Sequence, residues 1–252
     1  FQPLPEAIAQ HSDVRLGEMR YATSRHENRG RGPRSAAKIR EPPQPGKHTR
    51  PMHPESTVPQ LAPHQLEWLR MIDAYAERHA ASPPELDSVA RFRELMRSDA
   101  TAARRERTHG HLTGSAWLVS ADGLRVLLTH HRKLERWLQL GGHADGEVDL
   151  ARVALREAEE ESGLPHLAVE PDVFDLDRHW IPPRGVEDGH WHYDVRFVVR
   201  ACGSEAFVVS EESHALAWRR IDDLMADCTC DASLRRMAAK WLARRARVAQ
   251  SS

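Results

Sequence analysis

Three glutamates near the middle of the 252-residue chain are spaced to share one face of a helix. Glu157, Glu160 and Glu161 stand at i, i+3 and i+4, so in a helix their carboxylates project from the same side. Like charges at this spacing cost about 0.2–0.5 kcal/mol per pair. A bound hard cation such as Mg²⁺ or Mn²⁺ removes that repulsion, because these ions prefer clustered carboxylate oxygens.

The alternative interpretation is an ordinary solvated acidic face, and the helix itself argues against it. The helix is predicted over residues 150–162, with Asp149 as N-cap, Gly163 in the left-handed position after it and Pro165 barring continuation. The glutamates lie near the C-terminus of the helix, where the helix dipole is already negative and further negative charge is unfavourable. A solvated face would place basic residues four positions after each glutamate, and none is present. The pattern therefore favours a metal site, while Glu159 points elsewhere and is interpreted as a surface residue.

The residues around this helix resemble the Nudix box. Gly142 stands at the family's spacing from Arg156, and residues 156–164 match its run of Arg, Glu, a small aliphatic residue, paired Glu, Gly and an aliphatic residue. One position departs from the pattern, because the first box glutamate would fall on Val148 and Glu147 stands one residue earlier. The resemblance covers about residues 110–250.

This resemblance implies an α/β fold, an α/β/α sandwich around a mixed sheet, in which the box forms a loop, a helix and a second loop. The metal ligands implied for Mg²⁺ or Mn²⁺ are the carboxylates of Glu157, Glu160 and Glu161 and the carbonyl of Gly142. Arg156 would orient the carboxylates rather than contact substrate. Glu147 could support the loop from a shifted backbone position.

The implied reaction is metal-dependent hydrolysis of a phosphoanhydride in a nucleoside diphosphate linked to another group. Either Glu157 or Glu160 would accept the proton of the attacking water. Nudix enzymes often add an acid from a later loop, for which Glu211 and Glu212 are the candidates here, the alternative being a solvated turn. The identity of the linked group is left open.

Three further side chains are candidates for contacting that substrate. His143 lies within the box, and His192 and Tyr193 lie at the start of a predicted strand. Histidines and aromatic residues at strand ends are more often surface or rim residues, so this prediction depends on their meeting in one pocket.

Two other functions remain open on the sequence. A non-catalytic nucleotide-binding Nudix sensor is one, although such modules usually lose box glutamates and none of the three is lost here. An enzyme like the isopentenyl-diphosphate isomerases, which share the Nudix fold, is the other, because Gly142 and His143 are similar to their Cys-Gly-His stretch. Those enzymes have Cys where this chain has Gly141.

The composition and the apolar pattern divide the chain into three parts. Residues 1–60 hold nine of the sixteen prolines and are predicted to be a disordered tail, of which residues 1–51 are interpreted as an upstream extension. Residues 61–109 are predicted to form a helical extension, with apolar stripes that pack against the main domain. Residues 110–252 form the predicted Nudix domain, with the later strands expected at residues 169–181, 193–201, 207–209 and 217–221 and a terminal helix at 232–248.

The amino-acid composition limits the kinds of partner that the protein is expected to bind. The tail carries ten basic against six acidic residues, whereas the remainder is mildly acidic, so no specific nucleic-acid interface is expected. The sequence contains no run of eighteen apolar residues, so no membrane-spanning helix is predicted. Three cysteines are typical of a reducing compartment, and we expect a cytoplasmic protein acting on a small nucleotide-type diphosphate. A homodimer is among the states that the sequence allows.

Overall fold

Two helices precede the sheet, as the apolar stripes predict. In the computed structural model, which describes residues 60–132, 134–185, 187–209 and 213–251, α1 spans Pro63–Arg78 and α2 spans Pro83–Ser98. Not every apolar residue of these helices is buried, since Leu66 and Leu86 are exposed. Trp68 is buried instead, because a spacing of three residues lags behind the helical repeat of 3.6 and the apolar face rotates away. The tail at residues 1–59 lies outside the described residues.

Among the residues that the structure describes, seven strands form one mixed sheet. They are β1 (Gly110–Val119), β2 (Arg125–His131), β3 (Arg136–Leu138), β4 (Leu140–His143), β5 (Leu167–Ile181), β6 (His190–Ala201) and β7 (Ser213–Arg220). The order is β3-β2-β1-β6-β5, with β4 also paired to β1 and β7 to β2. The β1–β6 pair is parallel and the other pairs are antiparallel.

Helices cover both faces of this sheet. Helix α3 (Leu150–Ser162) lies so close to β1 that a Cβ on Gly114 would meet Val153 at 2.8 Å. Helices α1 and α2 share a hydrophobic cluster with α3 and the same sheet face. On the opposite face, α4 (Ile221–Ala226) and α5 (Ala232–Ser251) pack against Trp117 and its neighbours. The predicted α/β/α sandwich is therefore confirmed.

One predicted strand is wrong. Residues 207–209 run irregularly past the end of α3, where the Val208 amide donates to the Ser162 carbonyl at 2.8 Å. The Val208 side chain also contacts Gly163 and remains 67% exposed. The apolar run thus closes over a helix end and does not add a strand to the sheet.

A buried charge network fixes the sheet to α5. On β6, Arg196 is 2% exposed and binds Asp194 at 2.7 Å, Asp175 at 3.1 Å and Asp177 at 3.2 Å. Asp175, Asp177 and Asp194 occupy alternating positions on neighbouring strands, so they project from one face. We call Arg196, these three aspartates and the two α5 cations described next the Arg196 network.

Two cations of α5 complete the network. Arg236 binds Asp175 at 2.7 Å, and Lys240 binds Asp175 at 2.6 Å while also reaching Glu85 of α2 at 2.6 Å. Although burial alone would raise the pKa of Asp175, its hydrogen bond to Arg236 and the charge of Arg196 hold that pKa below the ordinary value. Each buried acid therefore has a cationic partner.

Among the described residues, no helix combines the length and the apolar character needed to cross a lipid bilayer.

Candidate active site

Helix α3 begins and ends where its caps require. The Asp149 side chain accepts the Arg152 amide at the N-terminus, and Gly163 takes the left-handed conformation, with φ of 65°, at the C-terminus. The last turn carries no basic residue. Acidic residues are thus concentrated at the negative end of the helix, as the sequence predicted.

Two of the three predicted ligands meet the backbone of β4. Glu161 Oε1 accepts the Gly141 amide at 2.7 Å. At Gly142, an added Cβ would lie 2.4 Å from Glu157 Oε2, so any larger residue would displace this carboxylate. The glycine pair therefore lets a strand and two carboxylates approach within one small volume.

Arg156 orients this arrangement. Its guanidinium donates to Glu157 Oε1 at 2.8 Å and to the His143 carbonyl at 3.1 Å. The hydrogen bond to Glu157 raises the pKa of Arg156 above its usual value. One cation thus ties the helix to the residue that follows Gly142.

Glu160 differs from the other two glutamates. Its side chain is exposed, and in the described part of the chain its carboxylate makes no hydrogen bond or ion pair. Its charge does contribute to raising the pKa of Arg156, which stands one turn away. Glu159 is equally exposed, on a different side of the helix. The two residues therefore form a natural pair for comparison.

The loop before α3 explains the shifted glutamate. Asp145 and Gly146 have φ values of 51° and 88°, so two left-handed residues turn the chain just ahead of Glu147. Glu147 accepts the Asp149 amide at 3.0 Å and lies 3.8 Å from Arg152. The hydrogen bond from the Asp149 amide lowers the pKa of Glu147. Its contacts thus brace the loop within the first turn of α3.

The N-terminal helical region holds the same loop from outside. Trp68 of α1 donates its indole N–H to the Val148 carbonyl at 2.8 Å. After α2, Arg105 makes a bidentate ion pair with Asp145, and the Gly146 amide donates to the Ala103 carbonyl at 2.9 Å. Sequence reasoning missed these supports, because they join residues that are 40 to 80 positions apart.

Two of the three predicted substrate contacts come together. The rings of His143 and His192 lie 4.9 Å apart, and burial lowers the pKa of both, that of His192 to about 2. Tyr193 projects from the other face of β6, as consecutive strand residues must, and packs against Phe92 at 5.3 Å. Glu211 and Glu212 lie outside the described residues.

A cavity of about 400 Å³ opens on the α5 face of the sheet. Trp137 and His130 form part of its wall, with their rings 5.3 Å apart. Arg219 and Asp227 lie across from them and form an ion pair at 3.7 Å. Trp137 precedes Gly142 by five residues, which limits the separation of their Cα atoms to about 18 Å.

Many solved structures are similar to about half of this chain, and three serve as examples. A C. elegans Ap4A hydrolase binary complex is 16% identical over 54% of this chain and 97% of its own, with a TM-score of 0.42. A NUDIX-family hydrolase from Clostridium perfringens is 23% identical over 52% and 95%, with a TM-score of 0.43. The E. coli dihydroneopterin triphosphate pyrophosphohydrolase is 18% identical over 50% and 91%, with a TM-score of 0.40. No curated protein matches the sequence.

The sequence profile of one family, described as the NUDIX domain, matches residues 111–242. This range contains every strand of the sheet, the glycine pair of β4 and the acidic helix α3. Because the match spans more than half of the 252 residues, the chain belongs to the NUDIX domain family.

Proposed function

We propose that this protein is a metal-dependent hydrolase that cleaves a phosphoanhydride bond in a nucleoside diphosphate linked to another group. The observation that carries the proposal is the convergence of Glu157 and Glu161 on the Gly141–Gly142 backbone, with Glu160 exposed beside them. Arg156 donates a hydrogen bond to Glu157 on this face at 2.8 Å. Family membership supports a pyrophosphohydrolase in general terms.

The residues present fit a hard divalent cation. Carboxylates of Glu157, Glu160 and Glu161 and the carbonyl of Gly142 are all oxygen donors, as Mg²⁺ and Mn²⁺ prefer. The missing side chain at Gly142 leaves the space in which Glu157 stands. These four residues would hold the metal, and Arg156 would keep Glu157 turned toward it.

The chemistry supplied by a bound divalent cation is neutralisation of the diphosphate and a lower pKa for the attacking water. Glu160 is placed to accept the water proton, because its carboxylate is exposed and not engaged by the protein. Glu157 and Glu161 are each held by a hydrogen bond and therefore serve better as fixed ligands. Attack of the water oxygen on phosphorus breaks the bridging P–O bond and leaves two phosphate products.

The nucleoside part of the substrate has a candidate place on the α5 face of the sheet. The cavity there has the size of a small-molecule site, and Trp137 offers an aromatic surface for a base. Only Gln139 separates β3, which carries Trp137, from β4, which carries Gly142.

The test is a Mg²⁺-dependent hydrolysis screen over a panel of nucleoside diphosphates linked to sugars, nucleotides or coenzyme A, together with nucleoside triphosphates. Wild type, Glu160→Gln and the matched control Glu159→Gln are measured side by side. We expect turnover that requires Mg²⁺, that falls by about a hundredfold or more in Glu160→Gln and that persists in Glu159→Gln.

Three other results would contradict the proposal. Tight nucleotide binding with no turnover under any metal condition would identify a sensor. Conversion of isopentenyl diphosphate with no nucleotide cleavage would identify an isomerase. Equal loss of turnover in Glu159→Gln and Glu160→Gln would show that helix charge in general, and not the exposed face of Glu160, supports the reaction.

A further inference from the structure

Five histidines from four strands meet at one end of the sheet. The histidine cluster consists of His111, His143, His179, His190 and His192. Strand register explains the meeting, because His192 pairs with His111 of β1 on one side and with His179 of β5 on the other. The three residues therefore form a row across one face. His143 enters from β4, where it pairs with Thr113.

Three members of the cluster have the geometry of a ligand set. His111, His190 and His192 each offer one ring nitrogen, and these nitrogens all lie within 4.8 Å of one another. The Nε2 atoms of His190 and His192 are 3.2 Å apart. A tetrahedral ion with Zn–N bonds of about 2.0–2.1 Å separates its ligand nitrogens by about 3.3 Å. The His190–His192 pair already has this spacing, and the His111 nitrogen lies within 4.8 Å of both.

His190 is oriented as metal-binding histidines usually are. Its Nδ1 faces the Asp188 carbonyl at 2.9 Å, and a carbonyl can only accept, so Nδ1 carries the proton in neutral His190. Nε2 then presents a lone pair toward His192 Nε2. Donation of one ring N–H to a backbone carbonyl is a recurring outer support of ligating histidines, because it fixes both tautomer and ring orientation.

His111 supplies an independent observation. It is 2% exposed, and neither of its ring nitrogens has a hydrogen-bond partner among the described residues. The backbone of Arg107 lies near enough to favour the charged ring, but its geometry falls short of a hydrogen bond. An unsatisfied buried polar group costs about 1–3 kcal/mol, so its retention calls for a physical explanation. Both nitrogens belong to a ring that points into the cluster.

We propose that His111, His190 and His192 bind a transition-metal ion of the zinc class, at a site separate from the glutamate face of α3. The donor chemistry separates the two sites, since imidazole nitrogens suit Zn²⁺, Co²⁺ or Ni²⁺ whereas carboxylate oxygens suit Mg²⁺ and Mn²⁺. Three histidines leave a fourth position open, on the side where the His143 ring lies 4.9 Å from His192.

The protonation of the cluster agrees with this assignment. Burial lowers the pKa of His111 to about 4 and that of His192 to about 2, and the neighbouring histidines add to the effect. Both rings are therefore neutral at physiological pH, the form in which imidazole binds metal.

The test titrates metal-stripped full-length protein with Co²⁺ in excess Mg²⁺, followed by visible absorption, and then displaces Co²⁺ with Zn²⁺. Excess Mg²⁺ keeps the glutamate face occupied. The variants are His190→Ala, chosen because its half-buried ring can be removed with little effect on folding, and His192→Ala. His214→Ala is the matched control, because it removes an exposed, carboxylate-bonded histidine outside the cluster. Glu161→Gln serves as the control for the glutamate face.

We expect one Co²⁺ per wild-type chain, with binding weakened by more than about a hundredfold in His190→Ala and His192→Ala. His214→Ala and Glu161→Gln should bind as wild type does. Circular dichroism of the metal-free variants separates lost ligands from lost folding, and a variant that fails to fold leaves the other to decide. Equal affinity in His190→Ala and His214→Ala would overturn the proposal. A thiolate-to-cobalt charge-transfer band would also overturn it, by placing the metal on Cys228 or Cys230, which are free thiols.

Discussion

Two acidic clusters in the described part of the chain differ in their surroundings. In the Arg196 network, Asp175 and Asp194 are buried, Asp177 is partly buried, all three contact Arg196, and α5 adds two more cations. On the glutamate face of α3, Arg156 bonds Glu157, Glu161 accepts a backbone amide, and the last turn of the helix carries no basic residue. Both clusters lie within residues 111–242, which the family profile matches.

The difference separates structural from functional acid. A buried carboxylate is tolerated when cations and hydrogen bonds replace the lost water, which is the condition met in the Arg196 network. Carboxylates gathered at the negative end of a helix repel one another, and a bound cation relieves that repulsion. Buried acids matched by buried cations therefore indicate a structural role, whereas glutamates that converge on a glycine backbone beside the exposed Glu160 are typical of a ligand site.

The largest effect is expected from breaking the compensated cluster. Arg196→Met removes the central guanidinium from the buried Asp175 and Asp194 and the partly buried Asp177, so the free energy of unfolding should fall by about 3–5 kcal/mol. Urea denaturation measures the change. The control is Arg93→Met, which breaks an exposed ion pair with Asp73 and should cost less than about 1 kcal/mol. Similar losses in both variants would remove the distinction between the clusters.

Adding Mg²⁺ should have the next largest effect on the stability of the folded protein. Mg²⁺ at about a hundred times its dissociation constant should stabilise the folded protein by about 2.7 kcal/mol. Thermal unfolding with and without Mg²⁺ measures this. We expect Mg²⁺ to bind at the glutamate face and not in the Arg196 network. Glu161→Gln should therefore reduce the shift in melting temperature, while Asp177→Asn should not. A shift retained in Glu161→Gln would place the bound cation elsewhere.

Acid should weaken the compensated cluster in a defined pH range. The folded-state pKa of Asp175 and of Asp177 lies below the ordinary value of 3.8, so their contribution is complete above pH 3.8 and is lost as pH falls below it. Each carboxylate contributes up to about 1.4 kcal/mol per pH unit in that range. Urea unfolding at a series of acidic pH values should give a smaller slope for Asp177→Asn than for wild type. Identical slopes would mean that Asp177 gains nothing from its cations.

The smallest effect should have the opposite sign. In metal-free protein, Glu160→Gln relieves repulsion with Glu157 and should raise the free energy of unfolding by about 0.2–0.5 kcal/mol. Its loss of activity would then accompany a gain in stability. Denaturation in the presence of a chelator provides the measurement, and a clear loss of stability would show that Glu160 has a structural partner.

Local patterns predicted most of the glutamate face. The caps of α3 and the shared side of Glu157 and Glu161 depend on residues within one helix, so spacing alone could indicate them. The resemblance to the Nudix box implied the orienting role of Arg156, which bonds Glu157. Apolar runs likewise predicted the main strands. The family match agrees with the fold that the box implied.

The sequence alone could not predict which residues of distant strands lie opposite one another in the sheet. His111 was not singled out, although it lies opposite His192, because a single strand does not reveal its partner. A signal was present in His190, His192, Asp194 and Arg196, which place polar side chains on one strand face at every second position. Pairing of β1 with β6 and of β5 with β6 assembles such faces into the histidine cluster and the Arg196 network. The strand expected at residues 207–209 failed for a related reason, since its partner is the end of α3.

Direct measurement of Mg²⁺ binding tests the central distinction most simply. Isothermal titration calorimetry would compare wild type with Glu161→Gln, Glu159→Gln and Asp177→Asn, each first shown to be folded. We expect Glu161→Gln to weaken Mg²⁺ binding by at least about tenfold, while the other two variants bind as wild type does. Equal affinity in wild type and Glu161→Gln would contradict the account, because the glutamate face would then not be the metal site.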